Sequence, residues 1–168
     1  VPKVEGASIY GGTPSDASVI ESIRAMRDAG TDVMFYPFIL MEQLEGNTLP
    51  DPWTGGIGQP KLPWRGRITL SGAPGQAGSP DRSTAAAVEV ANFFGTAVPA
   101  HFSASGTTIS YTGPGECRYR RFILHYAKLC AQAGGVDAFC IGSEMRSLTQ
   151  IRGDGDSFPA VEALVALA

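Results

Sequence analysis

The sequence is most informative at Val136-Asp137-Ala138-Phe139-Cys140-Ile141-Gly142-Ser143-Glu144. Residues 136–141 are apolar except for Asp137 and do not alternate with polar residues, which is typical of a parallel strand covered on both faces. Gly142 then permits a tight backbone turn before the carboxylate of Glu144. Ligands bind at the C-terminal ends of the strands in parallel α/β proteins. The stretch therefore predicts a buried parallel strand that leads to a functional carboxylate.

A second unbroken apolar run lies at residues 33–40 and predicts another buried parallel strand. Pro37 within this run lacks an N–H donor, which favours a bulge or a strand end there. A helix is predicted between an N-cap at Ser15 and a stop at Gly30, and a first strand is predicted before it at residues 4–10. Strand, helix and strand in this order form a βαβ unit. The sequence thus predicts an α/β fold with a parallel sheet.

The rest of the chain alternates helices and short extended segments with long loops, in keeping with its 21 glycines and 12 prolines. Further helices are predicted to start at Ser79-Pro80-Asp81, at Pro114 and at a Ser157 cap. The first of these is predicted to end at Gly95, and its predicted inward-facing residues are Ala87, Val88, Ala91 and Phe94. The other predicted elements are a long loop at residues 42–63, a short strand at 65–70, and a hairpin formed by 98–102 and 107–111.

The charge and hydropathy of the chain exclude some classes of partner. The formal net charge is −3, so the chain lacks the basic surface with which proteins bind nucleic acid directly. The longest nearly apolar stretch, residues 33–41, is far shorter than the ~20 residues of a membrane-spanning helix. We therefore expect neither direct nucleic-acid binding nor a membrane span in this segment.

Glu144 is the first candidate for chemistry. A carboxyl group at the end of a buried strand, if it is shielded from water, can act as a general acid in catalysis. The alternative is that Glu144 forms a structural salt bridge with Arg146 or Arg152. The local sequence leaves both interpretations open.

Glycoside hydrolysis needs a second carboxylate at a defined separation from the first. Glu42 and Asp51 are the candidates within the chain, although either could be a solvated loop acid. Trp53 and Trp64 lie in the same region, which is rich in glycine and proline. Each indole could stack on a sugar ring or simply pin the loop to the domain.

The sequence predicts neither a cofactor nor a metal. Gly72, Gly75 and Gly78 recur at a regular spacing, but they lack the Lys-Ser/Thr of a P-loop and the strand–helix context of a dinucleotide site. The three cysteines lack the CxxC spacing of a zinc site. We therefore expect no bound metal or cofactor.

The chain also resembles a known family. The resemblance lies in Tyr119-Arg120-Arg121, Gly134-Gly135-Val136-Asp137 and Gly142-Ser143-Glu144, and in the earlier Tyr10-Gly11-Gly12-Thr13-Pro14 and Tyr36-Pro37-Phe38. In these motifs the sequence is similar to the TIM-barrel-like, glycoside-hydrolase-like domain of the large tail protein of gene transfer agents and related phage tails.

The resemblance implies a partial (β/α) TIM-barrel-like fold. A complete barrel takes ~250 residues, and this chain has 168. We therefore expect about half a barrel, with a long loop and a β-hairpin excursion. On this view, residues 1–168 are a fragment of one domain that continues beyond both ends in the full protein.

The resemblance also implies a function. The chain would belong to a tail or baseplate hub component of a phage-like particle, assembled in the bacterial cytoplasm and released, that delivers DNA to cells. Its expected partners are other tail or baseplate proteins and a cell-wall or surface glycan. It would either cleave peptidoglycan or surface polysaccharide, or serve as an inactive structural or glycan-binding barrel of the tail tip.

Site residues follow from the same resemblance. Glu144 takes the acid/base position of the related barrel hydrolases, and the nucleophile position lies beyond Ala168. Those hydrolases usually carry Asn before this Glu, whereas Ser143 precedes it here. The residues expected to contact the substrate are Tyr10, Tyr36, Trp53, Trp64 and Arg146.

Overall fold

The computed structural model describes residues 3–4, 7–8 and 13–168, which form a mixed α/β chain with short strands. The helices are α1 (Asp16–Asp28), α2 (Thr84–Phe94), α3 (Tyr119–Gln132), α4 (Arg146–Thr149) and α5 (Pro159–Leu167). The strands are β1 (Lys3–Val4), β2 (Ala7–Ser8), β3 (Met34–Phe35), β4 (Phe102–Ser105), β5 (Thr108–Tyr111) and β6 (Ala138–Phe139). Short 3₁₀ turns lie at Arg65–Arg67 and Pro99–His101.

The chain divides into two compact units. Unit 1 comprises Ile39–Phe93 and Ser143–Ala168 together with β1 and β2, and unit 2 comprises Thr13–Phe38 and Phe94–Gly142. In the described part of the chain, no helix is both long enough and apolar enough to cross a membrane.

Strands β3 and β6 of unit 2 confirm the predicted parallel pairing of the two apolar runs. Met34 lies opposite Ala138, and Phe35 lies opposite Phe139. The amide of Cys140 continues the ladder by donating to the carbonyl of Phe35 at 2.9 Å. Strand β3 ends two residues before Pro37, as expected where the chain has no N–H to donate.

The sequence predicts that both faces of these strands are buried against other elements, and this prediction is wrong. The side chain of Met34 is 68% exposed and that of Phe38 is 53% exposed. Phe35 instead points inward, where its ring stacks on Phe139 with 5.9 Å between the centroids. The physical reason is that β3 and β6 form a sheet of only two strands in the described residues, which leaves one face without a covering layer.

The prediction of one parallel strand at residues 4–10 is also wrong. Strands β1 and β2 overlap this segment and pair antiparallel with each other, with Lys3 opposite Ser8 and Val4 opposite Ala7. The sequence between them is Glu5-Gly6, and a two-residue connection with glycine favours a hairpin over a continuous strand. Among the described residues the sheets have two strands each, and none of them closes into a barrel.

Helices α1 and α3 enclose the core of unit 2. Helix α1 lies where it is predicted, whereas α3 starts at Tyr119 rather than at Pro114. Ser15 caps α1 by accepting a hydrogen bond from the amide of Ser18 at 3.2 Å. Ile20 and Ile23 of α1 pack in one buried cluster with Leu129 of α3.

The predicted hairpin is confirmed as the antiparallel pair β4–β5, and its first strand starts at Phe102 rather than near residue 98.

Unit 1 departs from the predictions at two places where local turns form instead of the predicted elements. Residues 65–70 do not form a strand, because the amide of Arg67 donates to the carbonyl of Trp64 at 2.9 Å and closes a turn. Helix α5 starts at Pro159 rather than at a Ser157 cap, since the Ser157 hydroxyl donates to the carbonyl of Asp154 at 2.9 Å.

Helix α2 also starts later than predicted. Arg82 has a φ of +66°, which a helix does not tolerate, and Ser83 then accepts from the amide of Ala85 at 3.2 Å. The helix ends before Gly95, as predicted. Its buried residues are Ala86, Val90 and Phe94, and the predicted Val88 is 61% exposed.

We predict that Leu129→Ala lowers the free energy of unfolding by about 2–5 kcal/mol, because it leaves a cavity in the buried cluster of unit 2. Chemical denaturation followed by circular dichroism measures the loss. Leu62→Ala is the matched control, since Leu62 is 61% exposed and its truncation should change stability little. Equal losses in the two variants would contradict the assigned core.

Candidate functional site

Glu144 lies in unit 1, two residues before α4 begins at Arg146. Its φ of +57° places it in the left-handed region of backbone conformation, which is unfavourable for a residue with a Cβ. Such strain persists only where the surrounding structure imposes it, and it is frequent at functional sites. The backbone of Glu144 is therefore held in place by its side-chain contacts.

The contacts of Glu144 come from the turn at residues 64–67. The indole Nε1 of Trp64 donates to Glu144 Oε2 at 2.8 Å. The guanidinium Nη2 of Arg65 lies 3.0 Å from the same oxygen. Arg65 also donates through Nε to the carbonyl of Ser143 at 3.2 Å. Two neighbouring residues of one turn thus fix both the backbone and the carboxylate at positions 143–144.

Glu144 forms an ion pair, as one of its two open interpretations held, but the partner is a different arginine and the carboxylate is not shielded from water. Its ion-pair partner is Arg65 rather than Arg146 or Arg152, because Arg152 is paired with Asp81. Its side chain is 53% exposed rather than shielded from water, whereas the side chain of Arg65 is only 9% exposed. A buried guanidinium needs a partner to offset its desolvation. Glu144 therefore neutralises Arg65 through Oε2 while about half of its side chain stays exposed to solvent.

Trp64 presents an exposed aromatic surface beside this carboxylate. The residue is 51% exposed, although its N–H is already bound to Glu144. Its ring lies directly over Gly66, where a Cβ atom would come within 2.4 Å of the indole. Only glycine allows this approach, so the sequence Trp64-Arg65-Gly66 sets the position of the ring.

Trp53 and Asp51 form a second cluster in unit 1, and the contacts there are internal. Asp51 is 6% exposed, and Arg67 Nη2 lies 3.2 and 3.3 Å from its two carboxylate oxygens. Trp53 donates through Nε1 to the carbonyl of Arg67 at 2.9 Å. The hypothesis that Asp51 is a solvated loop acid is therefore wrong, and the hypothesis that Trp53 pins its loop is supported.

A cleft of about 390 Å³ opens beside Trp53 in unit 1. Its lining residues are Trp53, Pro74, Ser147, Thr149, Gln150, Arg152 and Phe158. Arg152 is fixed there by Asp81, which accepts from its Nε at 3.1 Å and from its amide at 2.8 Å. Glu144 is not among the lining residues, so the cleft and the carboxylate are separate features of unit 1.

The other predicted site residues are distributed through the chain. Tyr36 lies in unit 2, edge-on to Phe38 with 5.9 Å between the ring centroids. Arg146 is exposed at the first residue of α4, and Tyr10 lies outside the described residues. The described hydrogen bonds and ion pairs of Glu144 involve neither Glu42 nor Asp51.

Arg65 is the partner of Glu144 that the sequence analysis did not find. The local sequence around it is Trp64-Arg65-Gly66-Arg67, which places an arginine directly after a tryptophan. Its partner lies far away in sequence, however, and no local pattern links the two positions.

Residues 117–168 match the family model of the GTA TIM-barrel-like domain. The matched segment contains α3, β6, Glu144, α4 and α5. The match confirms the resemblance found in the sequence, and a GTA TIM-barrel-like domain is consistent with a gene transfer agent tail protein. A comparison with curated proteins gives no match.

We predict an acid-dependent loss of stability from the Asp81–Arg152 pair. Burial raises the pKa of Asp81, but the hydrogen bonds and charge of Arg152 lower it more, so that the pKa lies below its ordinary value of 3.8. Because the unfolded chain binds this proton more readily, the contribution of Asp81 is complete above that value and is lost as the pH falls below it.

Melting temperatures between pH 6 and pH 2.5, measured for the native chain and Asp81→Asn, test this prediction. Asp81→Asn should be less stable at pH 6, and its deficit should shrink as the pH falls, since the native pair is then lost too. A deficit that is the same at both ends of this range would contradict it.

Proposed function

We propose that this chain is part of a tail protein of a gene transfer agent or a related phage-like particle, located at the baseplate hub or tail tip. The match of residues 117–168 to the GTA TIM-barrel-like domain supports the tail context. Other tail proteins would be its neighbours, and the glycan of the cell wall or cell surface would be its external partner. The domain itself would be a partial (β/α) barrel, a fragment of a larger domain.

Within that setting, we propose that the region around Glu144 binds glycan without cleaving it. The observation that carries this proposal is the pairing of Glu144 with Trp64 and Arg65. Oε2 already accepts two N–H donors, so a proton for a glycosidic oxygen would have to come from Oε1. A carboxylate fixed in this way is suited to accepting hydrogen bonds from a ligand.

The exposed groups of this region match the chemistry of a sugar. Oε1 of Glu144 can accept a hydrogen bond from a hydroxyl group, and a bond to a charged acceptor is stronger than a neutral one. The exposed indole of Trp64 offers an apolar face for the C–H groups of a pyranose ring. Arg146 adds donors two residues along the chain. Tyr10 and Tyr36 stay predicted glycan contacts.

Hydrolysis is the second candidate, and the strained backbone of Glu144 favours it. In this mechanism Glu144 protonates the glycosidic oxygen through Oε1 and then acts as the base. A second carboxylate must stand close to the same bond. Asp51 does not fit that role, since it is buried and held through both oxygens by Arg67.

Glu144→Gln separates the two candidates. Glutamine has one carbonyl oxygen, and the N–H groups of Trp64 and Arg65 both need that acceptor. Its amide NH₂ therefore takes the outward position of Oε1, where a donor replaces an acceptor. If the site only binds, we expect Glu144→Gln to weaken binding to purified cell-wall sacculi about tenfold, the cost of losing one charge-assisted hydrogen bond.

Sedimentation of the chain with sacculi measures binding, and release of soluble reducing sugars measures cleavage. Glu45→Gln is the matched control, because Glu45 is an exposed loop acid, and it should bind as the native chain does. Sugar release by the native chain that Glu144→Gln abolishes, with binding intact, would establish hydrolysis instead. Unchanged binding in Glu144→Gln without any sugar release would reject both roles of Glu144.

A further inference from the structure

We propose that the cleft between Trp53 and α4 is a separate subsite for a neutral saccharide unit. The proposal rests on the proposed glycan-binding function and assigns a second place in unit 1 where such a ligand is held. The cleft has a volume of about 390 Å³, within the ~300–1,000 Å³ of typical small-molecule sites.

The lining of the cleft combines ring surfaces with neutral polar groups. Trp53, Pro74 and Phe158 supply apolar surface, and Phe158 is 44% exposed. Ser147 and Gln150 lie on or directly after α4 and offer hydroxyl and amide groups that both donate and accept. A saccharide presents the same two features, C–H faces and hydroxyl groups that donate and accept.

The charge of the cleft favours an uncharged ligand. Arg152 is the one cation among the residues that line it. Asp81 binds this guanidinium through a carboxylate whose side chain is only 6% exposed, so the positive charge is already neutralised. The absence of an uncompensated charge favours a neutral sugar over an anionic one.

Trp53 can offer only part of its ring to a ligand. Its N–H is bound to the carbonyl of Arg67, and the guanidinium of Arg67 lies over the ring, 5.5 Å from the centroid. Arg67 lines a different and much smaller pocket of about 30 Å³. The fixed indole therefore has one face against Arg67, which leaves the opposite face and the ring edge for contact with a sugar.

The test uses the two tryptophans of the chain as separate reporters. The sequence contains only Trp53 and Trp64, so the ¹⁵N-labelled chain gives two indole N–H signals, which Trp53→Phe and Trp64→Phe assign. The probe is N,N′-diacetylchitobiose, a neutral disaccharide, and a disaccharide that carries a uronic acid is the anionic comparison. We expect the neutral probe to shift the Trp53 signal in a saturable way and to bind more tightly than the anionic one.

Gln150→Ala tests the cleft without removing a buried group, because Gln150 is exposed. We expect this change to weaken the affinity reported by Trp53 about five- to tenfold, the usual effect of one lost hydrogen bond. Gln43→Ala is the matched control, since Gln43 does not line the cleft, and it should leave the affinity unchanged.

The outcomes separate this inference from the proposed function. A Trp53 signal that does not move, or that moves equally in native chain and Gln150→Ala, overturns the cleft proposal. Tighter binding of the anionic probe overturns the choice of a neutral ligand. A shift of Trp64 alone overturns the cleft and supports the site at Glu144. A shift of Trp53 that depends on Gln150 supports the cleft, even where Glu144→Gln leaves sacculus binding unchanged.

Discussion

The buried guanidinium of Arg65 sets the geometry of the candidate site. A cation that is 9% exposed must be paired and hydrogen-bonded, and Arg65 meets this requirement through the carboxylate of Glu144 and the carbonyl of Ser143. The turn at residues 64–67 is thereby joined to the segment that leads into α4. At this connection Glu144 has a left-handed backbone, and Trp64 donates its indole N–H to the same carboxylate.

Arginine–carboxylate pairs hold the rest of unit 1 in the same way. Arg67 pairs with Asp51 beside Trp53, and Arg152 pairs with Asp81 beside the cleft. The carboxylates of these two pairs are almost completely buried, whereas that of Glu144 is half exposed. This difference assigns the two buried acids to structural roles. It leaves Glu144 as the most exposed acid of the three, which is why we place the proposed glycan binding there.

Much of unit 2 could be predicted from the sequence because its signals are local. The Ser15 cap and the two apolar runs act over a few residues, and α1 and the parallel β3–β6 pair formed as predicted. Helix α3 formed too, but it starts at Tyr119 rather than at Pro114. The errors in unit 1 have a different cause. By sequence, Asp81 is a first-turn acid and Ser157 is a helix cap, but the side chain of Asp81 binds Arg152 and that of Ser157 binds the carbonyl of Asp154. The role of Glu144 as the key acid stays a prediction, and its partner Arg65 could not be predicted, because only the fold brings the two residues together.

A double-mutant cycle on Arg65 and Glu144 tests most directly whether their interaction organises the site. The free energy of unfolding is measured by urea denaturation for the native chain, Arg65→Met, Glu144→Ala and the double variant. If each residue neutralises the other, the double variant should be more stable than the sum of the single losses implies, with a coupling energy of about 1–3 kcal/mol. Losses that add to within ~0.5 kcal/mol would contradict the central role of this pair.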